Sequence, residues 1–176
     1  MKKIIAFSGS NSSKSINHQL VTAIAPYAEN AEVEIISLRD YEAPMFCIDD
    51  EQATGFPASM EALQAKFGEA DGFILSSPEY NSSMPAVLKN TIDWLSRMGR
   101  KVFNEKPLVL LCASPGGRGG LSMREHLANI LPRQGCTFIG HHGVGGFHQK
   151  MADGQLTDAD DVAAIKALIQ QLEAAM

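Results

Sequence analysis

The segment GFILSSPEYNSSMPAVLKNTIDWLSR, residues 72–97, contains in one piece the pattern that decides the fold. Its apolar run at 72–77 is typical of a strand that is buried on both faces of a parallel sheet. A short polar loop follows. A helix is then predicted from Pro85 to about Arg97, because proline is tolerated in a first helical turn. Strand, loop and helix in this order form the unit from which α/β proteins are built.

The same alternation of apolar runs and helix-period segments extends along the whole chain. Strands are predicted at 3–7, 33–38, 72–77, 107–114 and 137–140, and helices at 16–29, 59–69, 85–97, 121–131 and from Thr157 onward. Thr157 and Asp160 resemble a capping box at the start of the last helix. We therefore expect a single domain over residues 1–176, with a doubly wound, five-stranded parallel sheet of order 2-1-3-4-5 and helices on both faces.

Composition and charge exclude several classes of partner. The net charge is −5, and lysine and arginine form no stripe that can neutralise a nucleic acid backbone. No apolar run approaches a membrane span, and the four apolar residues after Lys3 are too few for a signal peptide. The three cysteines show no zinc or C-x-x-C spacing, which indicates a reducing, cytoplasmic compartment. We expect no nucleic acid, membrane or metal partner.

Three loops with unusual composition are predicted at the carboxyl edge of the sheet, where open α/β sheets bind ligands. The serine loop, residues 8–17, reads SGSNSSKSIN and precedes a helix. Free N–H groups at a helix N-terminus, together with hydroxyl and amide groups, suit a phosphate. A serine-rich turn with one N-cap is the alternative, and Lys14 either reaches the anion or points to water. Neither G-x-G-x-x-G nor a P-loop motif is present, which favours a monophosphate over a pyrophosphate.

The other two loops suit a flat ligand. In the tyrosine loop, residues 78–84, Pro78 stiffens the turn and restricts the residue before it to an extended conformation. Such a rigid turn can direct hydrogen bonds to a planar heterocycle, although Tyr80 can also be an ordinary half-buried aromatic. The glycine loop, residues 114–120, reads SPGGRGG, and its glycines allow close approach of the backbone. Arg118 can offer a positive charge to the ligand, and the alternative is a flexible turn in which Arg118 is solvated.

The motifs G-S-x(4)-S-x-N, P-E-Y-N-x-S-x-P-x-x-L-K-N-x-I-D-W and P-G-G-R-G-G together resemble those of the NAD(P)H-dependent FMN reductases. These are flavodoxin-like enzymes that include chromate, quinone and azo-dye reductases, and the resemblance covers nearly the whole chain. It implies an FMN site with phosphate contacts in the serine loop and with the isoalloxazine between the other two loops. The implied cofactor-binding residues are Ser10, Ser12, Ser15, Ile16, Asn17, Pro78, Glu79, Tyr80, Asn81, Ser114, Gly116 and Gly117.

The resemblance also implies the reaction. Hydride passes from NADH or NADPH to FMN and then to a small-molecule acceptor, such as free flavin, a quinone, an azo compound or a metal oxyanion, in a ping-pong cycle. No residue need act as acid or base, since FMN carries the chemistry. Many family members have an arginine where this chain has Ser12, so the choice between NADH and NADPH stays open. A flavodoxin-type electron carrier that does not oxidise NAD(P)H is the alternative.

Family members form dimers or tetramers through the region of the 85–97 helix. The apolar stripe of Leu88, Ile92, Trp94 and Leu95 is either shared with another subunit or buried in the core. Asp93, Arg97 and Arg100 are candidates for interfacial ion pairs.

Two long connections are expected to shape the mouth of the site and to select the acceptor. The first, residues 39–58, contains Tyr41, Phe46 and Phe56, and the second is residues 141–155. We expect the histidines of the second connection, His141, His142 and His148, to be solvated and not to bind a metal.

Overall fold

The computed structural model describes residues 1–99 and 101–176, so the ion pair predicted for Arg100 lies outside the described residues. Five parallel strands form one sheet of order β2-β1-β3-β4-β5, which confirms the predicted flavodoxin-like topology. The strands are β1 (Lys2–Ser8), β2 (Ala31–Ser37), β3 (Gly72–Ser76), β4 (Pro107–Ser114) and β5 (Thr137–Gly145).

The α-helices cover both faces of this sheet. Within the described residues they are α1 (Ile16–Ile24), α2 (Ile48–Thr54), α3 (Ala58–Gly68), α4 (Ala86–Met98), α5 (Leu121–Ile130) and α6 (Ala159–Ala175). Helices α1 and α6 pack on one face, over an almost entirely aliphatic core. Helices α3, α4 and α5 pack on the other face, whose core is rich in aromatic side chains. In the described parts of the chain, none of the helices has both the length and the apolar composition needed to cross a membrane.

Of the two alternatives for the apolar stripe of α4, the structure supports burial in the core for its four large side chains. Leu88, Ile92, Trp94 and Leu95 are at most 5% exposed within the single chain. The indole Nε1 of Trp94 donates to the carbonyl of Pro44 at 2.8 Å, and the ring of Phe46 meets the indole edge-on with centroids 5.0 Å apart. The segment before α2 therefore covers this stripe from outside.

The sequence predicted an irregular connection over residues 39–58, but the structure shows two ordered elements in it. It begins with a 3₁₀ turn at Leu38–Tyr41 and contains α2, whose first turn carries Asp49, Asp50 and Glu51. Acidic side chains stabilise a helix N-terminus, and Gly55, with φ of 78°, ends the helix.

The second long connection is also more ordered than predicted. Strand β5 continues to Gly145, because it pairs with β4 as far as Ser114. Two further strands, β6 (Met151–Ala152) and β7 (Gln155–Leu156), form an antiparallel hairpin. Its turn residues Asp153 and Gly154 have φ of 49° and 77°, the left-handed conformation that an Asp-Gly hairpin turn requires.

The predicted capping box at Thr157 and Asp160 is wrong. Helix α6 begins at Ala159, and the Asp158 side chain accepts from the N–H of Asp161 at 3.0 Å. Thr157 instead closes the hairpin, since its N–H donates to the carbonyl of Lys150 at 2.8 Å.

Candidate functional site

A cavity of about 300 Å³ opens at the carboxyl edge of the sheet. Strand order reverses there, between β1 and β3, which is where open α/β sheets bind ligands. The cavity is lined by Ser10, Ser12, Lys14, Ser15, Ile16, Asn17, Pro78, Glu79, Tyr80, Ala113, Ser114, Pro115 and His148. The structure therefore brings nine of the twelve predicted residues together, and it leaves Asn81, Gly116 and Gly117 outside this lining.

The serine loop is held in shape by its own short side chains. Ser10 Oγ accepts from the N–H of Ser12 at 3.1 Å, and Ser12 Oγ accepts from the N–H of Lys14 at 3.2 Å. Ser15 is the N-cap of α1, because its Oγ accepts from the N–H of His18 at 3.2 Å. Hydroxyl groups that bond neighbouring backbone in this way define the turn without any regular structure.

Asn17 ties the start of α1 to the centre of the sheet. Its Oδ1 accepts from Ser76 Oγ and from the N–H of Ala113, both at 2.8 Å, and its Nδ2 donates to the Ala113 carbonyl at 3.0 Å. The residue is 1% exposed. These bonds join α1, β3 and β4, and they commit most of the side chain's hydrogen-bonding capacity. Its backbone N–H is thus the group best placed to contact a ligand.

Two backbone donors remain free at the N-terminus of α1. Gln19 makes the first intrahelical bond, to the carbonyl of Ser15, and the N–H of His18 is used by the cap. Among the described residues, no acceptor pairs with the N–H of Ile16 or of Asn17, and both residues line the cavity. No acidic residue lies in the first turn of α1, so its partial positive charge faces the cavity uncompensated. This arrangement can bind a monophosphate.

The tyrosine loop is a tight turn that presents Tyr80 to solvent. Tyr80 and Ser83 exchange two backbone hydrogen bonds, of 2.9 and 3.1 Å, around Asn81 and Ser82. Both central residues have positive φ, 51° and 64°, as in a type I′ turn. Asn81 therefore shapes the turn from outside the cavity, and Tyr80 is 53% exposed beside it.

Glu79 links the tyrosine loop to α5. Its Oε2 accepts from the N–H of Met123 at 2.9 Å, in the first turn of that helix. The N-cap of α5 is Gly120, which has no side chain to cap the helix, so the Glu79 carboxylate takes this role from a different loop.

The glycine loop lines the cavity only through Ser114 and Pro115, whereas its glycines pack against β5. A Cβ on Gly143 would lie 2.1 Å from the Gly119 carbonyl oxygen, and one on Gly145 would lie 2.4 Å from that of Gly117. Glycine in β5 thus lets two backbones touch. Ser114 Oγ donates to the Gly116 carbonyl at 2.7 Å, and Arg118, also predicted as a ligand contact, is exposed and does not line the cavity.

Sequence reasoning missed Ala113, Pro115 and His148 as lining residues. His148 follows Phe147, which is fully buried in the core under α1 and α6. This anchor directs the segment after β5 toward the cavity, in agreement with the predicted role of residues 141–155. The other predicted mouth residues, Tyr41, Phe46 and Phe56, do not line the cavity.

The two adjacent histidines of β5 are paired within the protein. Nε2 of His142 lies 2.7 Å from a carboxylate oxygen of Asp161, and Nδ1 of His141 lies 2.7 Å from the guanidinium of Arg124. Burial and the neighbouring guanidinium lower the pKa of His141, so its neutral form accepts this bond. In the described residues, no cluster of three or more His, Cys, Asp or Glu side chains is arranged to hold a metal ion.

Comparison with known proteins decides the family. The model of the family described as NADPH-dependent FMN reductase matches residues 2–150. The chain belongs to this family. A quinone reductase of Escherichia coli K12 is 34% identical over 157 residues, covering 88% of this chain and 84% of its own. An NAD(P)H-dependent FMN reductase of Pseudomonas aeruginosa is 34% identical over 176 residues, covering 96% and 90%.

Solved structures agree with this FMN reductase assignment. The flavoenzyme NAD(P)H:(acceptor) oxidoreductase of Paracoccus denitrificans superposes with a TM-score of 0.80 and 25% identity, over 99% of both chains. An NADH:FMN oxidoreductase in its apo form superposes with a TM-score of 0.73 at 18% identity, over 100% of this chain and 90% of its own, and supports the fold alone. The predicted family, fold class and oxidoreductase activity are thereby confirmed.

Proposed function

We propose that this FMN reductase passes hydride from NAD(P)H through bound FMN to a small-molecule acceptor in a ping-pong cycle. The acceptor is a free flavin, a quinone, an azo compound or a metal oxyanion. The observation that carries the proposal is the pair of free N–H groups, on Ile16 and Asn17, in a cavity at the switch point of the sheet. When bound, FMN supplies the redox chemistry, accepting hydride and passing electrons on.

The residues of the serine loop fit the phosphate of FMN. The two free N–H groups and the partial charge of α1 bind the anion, while Ser10, Ser12 and Ser15 hold the loop around it. Lys14 lines the same cavity and adds a positive charge. This fit depends on donors that are already in place, so little ordering is needed on binding.

The other two loops fit the ring system. Pro78, Glu79 and Tyr80 line one part of the cavity after β3, and Ser114 lines it at the end of the neighbouring strand β4. Asn81 acts through the turn that positions Tyr80, and Gly116 and Gly117 act through backbone that carries no bulk. We assign no acid or base role to a side chain, because the bound FMN supplies the redox chemistry.

A single anaerobic experiment tests the proposed function. Purified protein is saturated with FMN, NADH or NADPH is added, and the visible absorption band of the flavin is followed before a quinone is admitted. We expect rapid bleaching and then recovery. Stoichiometric FMN that stays oxidised with both nucleotides would instead indicate an electron carrier, and failure to bind FMN would overturn the cofactor assignment itself.

We further propose that the enzyme is a cytoplasmic homodimer or homotetramer. Its three cysteines, Cys47, Cys112 and Cys136, are free thiols, as expected in a reducing compartment. Beside the exposed Tyr80 a second cavity of about 500 Å³ runs between α4 and α5, and Met84 and Ile130 contribute to its lining. We place the interface there.

Sedimentation tests this assembly. Ile130→Glu should dissociate the protein to monomers, and Met45→Glu, on an exposed side chain elsewhere, should not. A wild type that sediments as a monomer at micromolar concentration would contradict the proposal.

A further inference from the structure

A cavity of about 380 Å³ lies next to the flavin cavity but is separate from it. Its walls come from α1 and from the β6–β7 hairpin, and its lining is His18, Gln19, Thr22, Met151, Ala152, Asp153 and Gly154. Asn17 lines the flavin cavity and His18 lines this one, and His148 and Met151 divide the other wall in the same way. The two cavities therefore adjoin at the phosphate end of the flavin site.

The chemistry of the lining matches an adenosine group. Aromatic rings such as imidazole stack on purines, and a methionine thioether packs well against aromatic surfaces. Gln19 and Thr22 offer polar groups to the edge of a base, and the Asp153 carboxylate can accept from ribose hydroxyls. Among the residues that the structure describes, neither a lysine nor an arginine lines this cavity. An acidic residue is the feature that selects an unphosphorylated ribose 2′-hydroxyl in nucleotide sites, whereas a 2′-phosphate requires an arginine.

The hairpin wall is fixed in place. Lys150 Nζ, just before it, donates to Asp161 Oδ2 at 2.6 Å, and just after it the N–H of Thr157 returns to the Lys150 carbonyl. Leu156 is buried in the core, and the Asp153-Gly154 turn has the backbone conformation that its residues favour. Asp153 is thus presented by a rigid element, as a binding residue should be.

Spacing along α1 suits one ligand that reaches both cavities. Thr22 lies five residues beyond Asn17, which is about 7.5 Å along a helix axis. A dinucleotide can span that distance between its two halves.

We infer that the cavity between α1 and the β6–β7 hairpin binds the adenosine group of a dinucleotide with a free 2′-hydroxyl. We further infer that Asp153 makes the enzyme prefer this dinucleotide over a 2′-phosphorylated one. The inference rests on the proposed function. The adenosine is that of NADH, and NADPH is disfavoured because its 2′-phosphate would face the carboxylate.

The test uses Asp153→Asn, which keeps a residue that tolerates the turn conformation and removes the charge. Asp49→Asn on exposed α2 is the matched control. For wild type and both variants we would measure KM for NADH and NADPH with FMN-loaded enzyme, and Kd for FAD and FMN with apoprotein by fluorescence quenching. We expect the ratio of kcat/KM for NADH over that for NADPH to fall about tenfold in Asp153→Asn only, the effect of roughly one charged hydrogen bond.

The possible outcomes separate a failure of this inference from a failure of the proposed function. A fall in that ratio with unchanged FAD binding assigns the cavity to the nicotinamide nucleotide. Weaker FAD binding with unchanged FMN binding and an unchanged ratio would show that the cavity accepts adenosine but does not select NADH, which overturns the inference. If neither quantity changes in an enzyme that binds FMN and oxidises NAD(P)H, the inference is overturned while the proposed function stands. If FMN does not bind at all, the proposed function is what has failed.

Discussion

The serine loop and the glycine loop occupy equivalent places, each between a buried strand and a helix at the same edge of the sheet, yet they use small residues for opposite purposes. In the serine loop, hydroxyl groups satisfy the backbone of the loop itself and leave the N–H groups of Ile16 and Asn17 free. In the glycine loop, missing side chains let the backbone lie against Gly143 and Gly145 of β5.

The helices that follow the two loops differ accordingly. The first turn of α1 contains no acidic residue, and its cap leaves two donors open. The first turn of α5 is already occupied by the Glu79 carboxylate. A helix N-terminus attracts an anion only while its donors and its partial charge are uncompensated. The serine loop therefore leaves an anion-binding site at the start of α1, whereas the glycine loop packs against the sheet and leaves none at the start of α5.

The largest effect is expected where the serine loop is anchored. Asn17→Leu keeps the volume of the side chain but removes three bonds. It leaves Ser76 Oγ and the N–H of Ala113 unpaired, and the Ala113 carbonyl keeps only the Sγ of Cys112, at 3.6 Å. Each buried unpaired group costs about 1–3 kcal/mol, so the free energy of unfolding should fall by at least about 2 kcal/mol. Urea denaturation measures it, with exposed Asn129→Leu as the control. A loss below about 1 kcal/mol would show that Asn17 is not an anchor.

A smaller loss is expected where the glycine loop meets β5. The added Cβ in Gly143→Ala would lie 2.1 Å from a carbonyl oxygen, whereas one in Gly116→Ala meets no atom within 4 Å. Overpacking costs roughly 1–3 kcal/mol, so the first variant should melt several degrees lower than the second. Scanning calorimetry of the pair measures the difference. Equal melting temperatures would mean that the loop does not pack as described.

Glu79→Gln should have a modest effect that depends on salt. Glutamine still accepts from the N–H of Met123 but no longer compensates the partial charge of α5. Such charges contribute about 0.3–1 kcal/mol and are screened by salt. Denaturation in low and high salt should therefore show a deficit that disappears at high ionic strength. A deficit that is independent of salt would point to packing instead.

The opposite, amino edge of the sheet should give a weak dependence of stability on acid pH. Hydrogen bonds from Lys3 and Lys66 lower the pKa values of Glu34 and Glu69 below 4.5. The stability that these lowered pKa values contribute is complete above the pKa of the unfolded chain. It is lost as pH falls through the lower pKa of the folded state. Melting temperatures between about pH 6 and pH 3 should therefore fall less in Lys3→Met than in the wild type. If the melting temperatures of both proteins fall in parallel with pH, the ion pairs of Lys3 do not contribute to the acid dependence.

The sequence predicted the features that follow from periodicity and from local chemistry. The apolar run at 72–77 and the other four apolar runs predicted the strands, and the usual order of doubly wound sheets predicted how they pair. The Ser-rich and Gly-rich segments are found at the ligand edge. Two missed elements carried readable local signals, namely the acidic first turn of α2 and the Asp153-Gly154 hairpin turn.

Other features depended on contacts between distant segments and had no local signal. The glycines of β5 resembled a loop because their role is to meet a second backbone. The anchoring of Asn17 to Ser76 and Ala113 joins residues that lie far apart in the chain, so it was visible only after folding.

The central claim is that backbone donors at the start of α1 hold the phosphate of FMN, and Ile16→Pro tests it most directly. Proline is tolerated at this first helical position, and Ser15, with ψ of 117°, already has the extended conformation that must precede it. The substitution removes one free N–H, and Ile16→Ala is the control that shortens the side chain but keeps that N–H.

The measurement is the Kd for FMN of both variants by fluorescence titration, after circular dichroism has shown equal helix content. The account predicts that the proline variant binds FMN at least about tenfold more weakly than the alanine variant, because a hydrogen bond to a charged group is worth about 1.5–3 kcal/mol. Equal affinity in two folded variants would contradict it and would place the phosphate elsewhere.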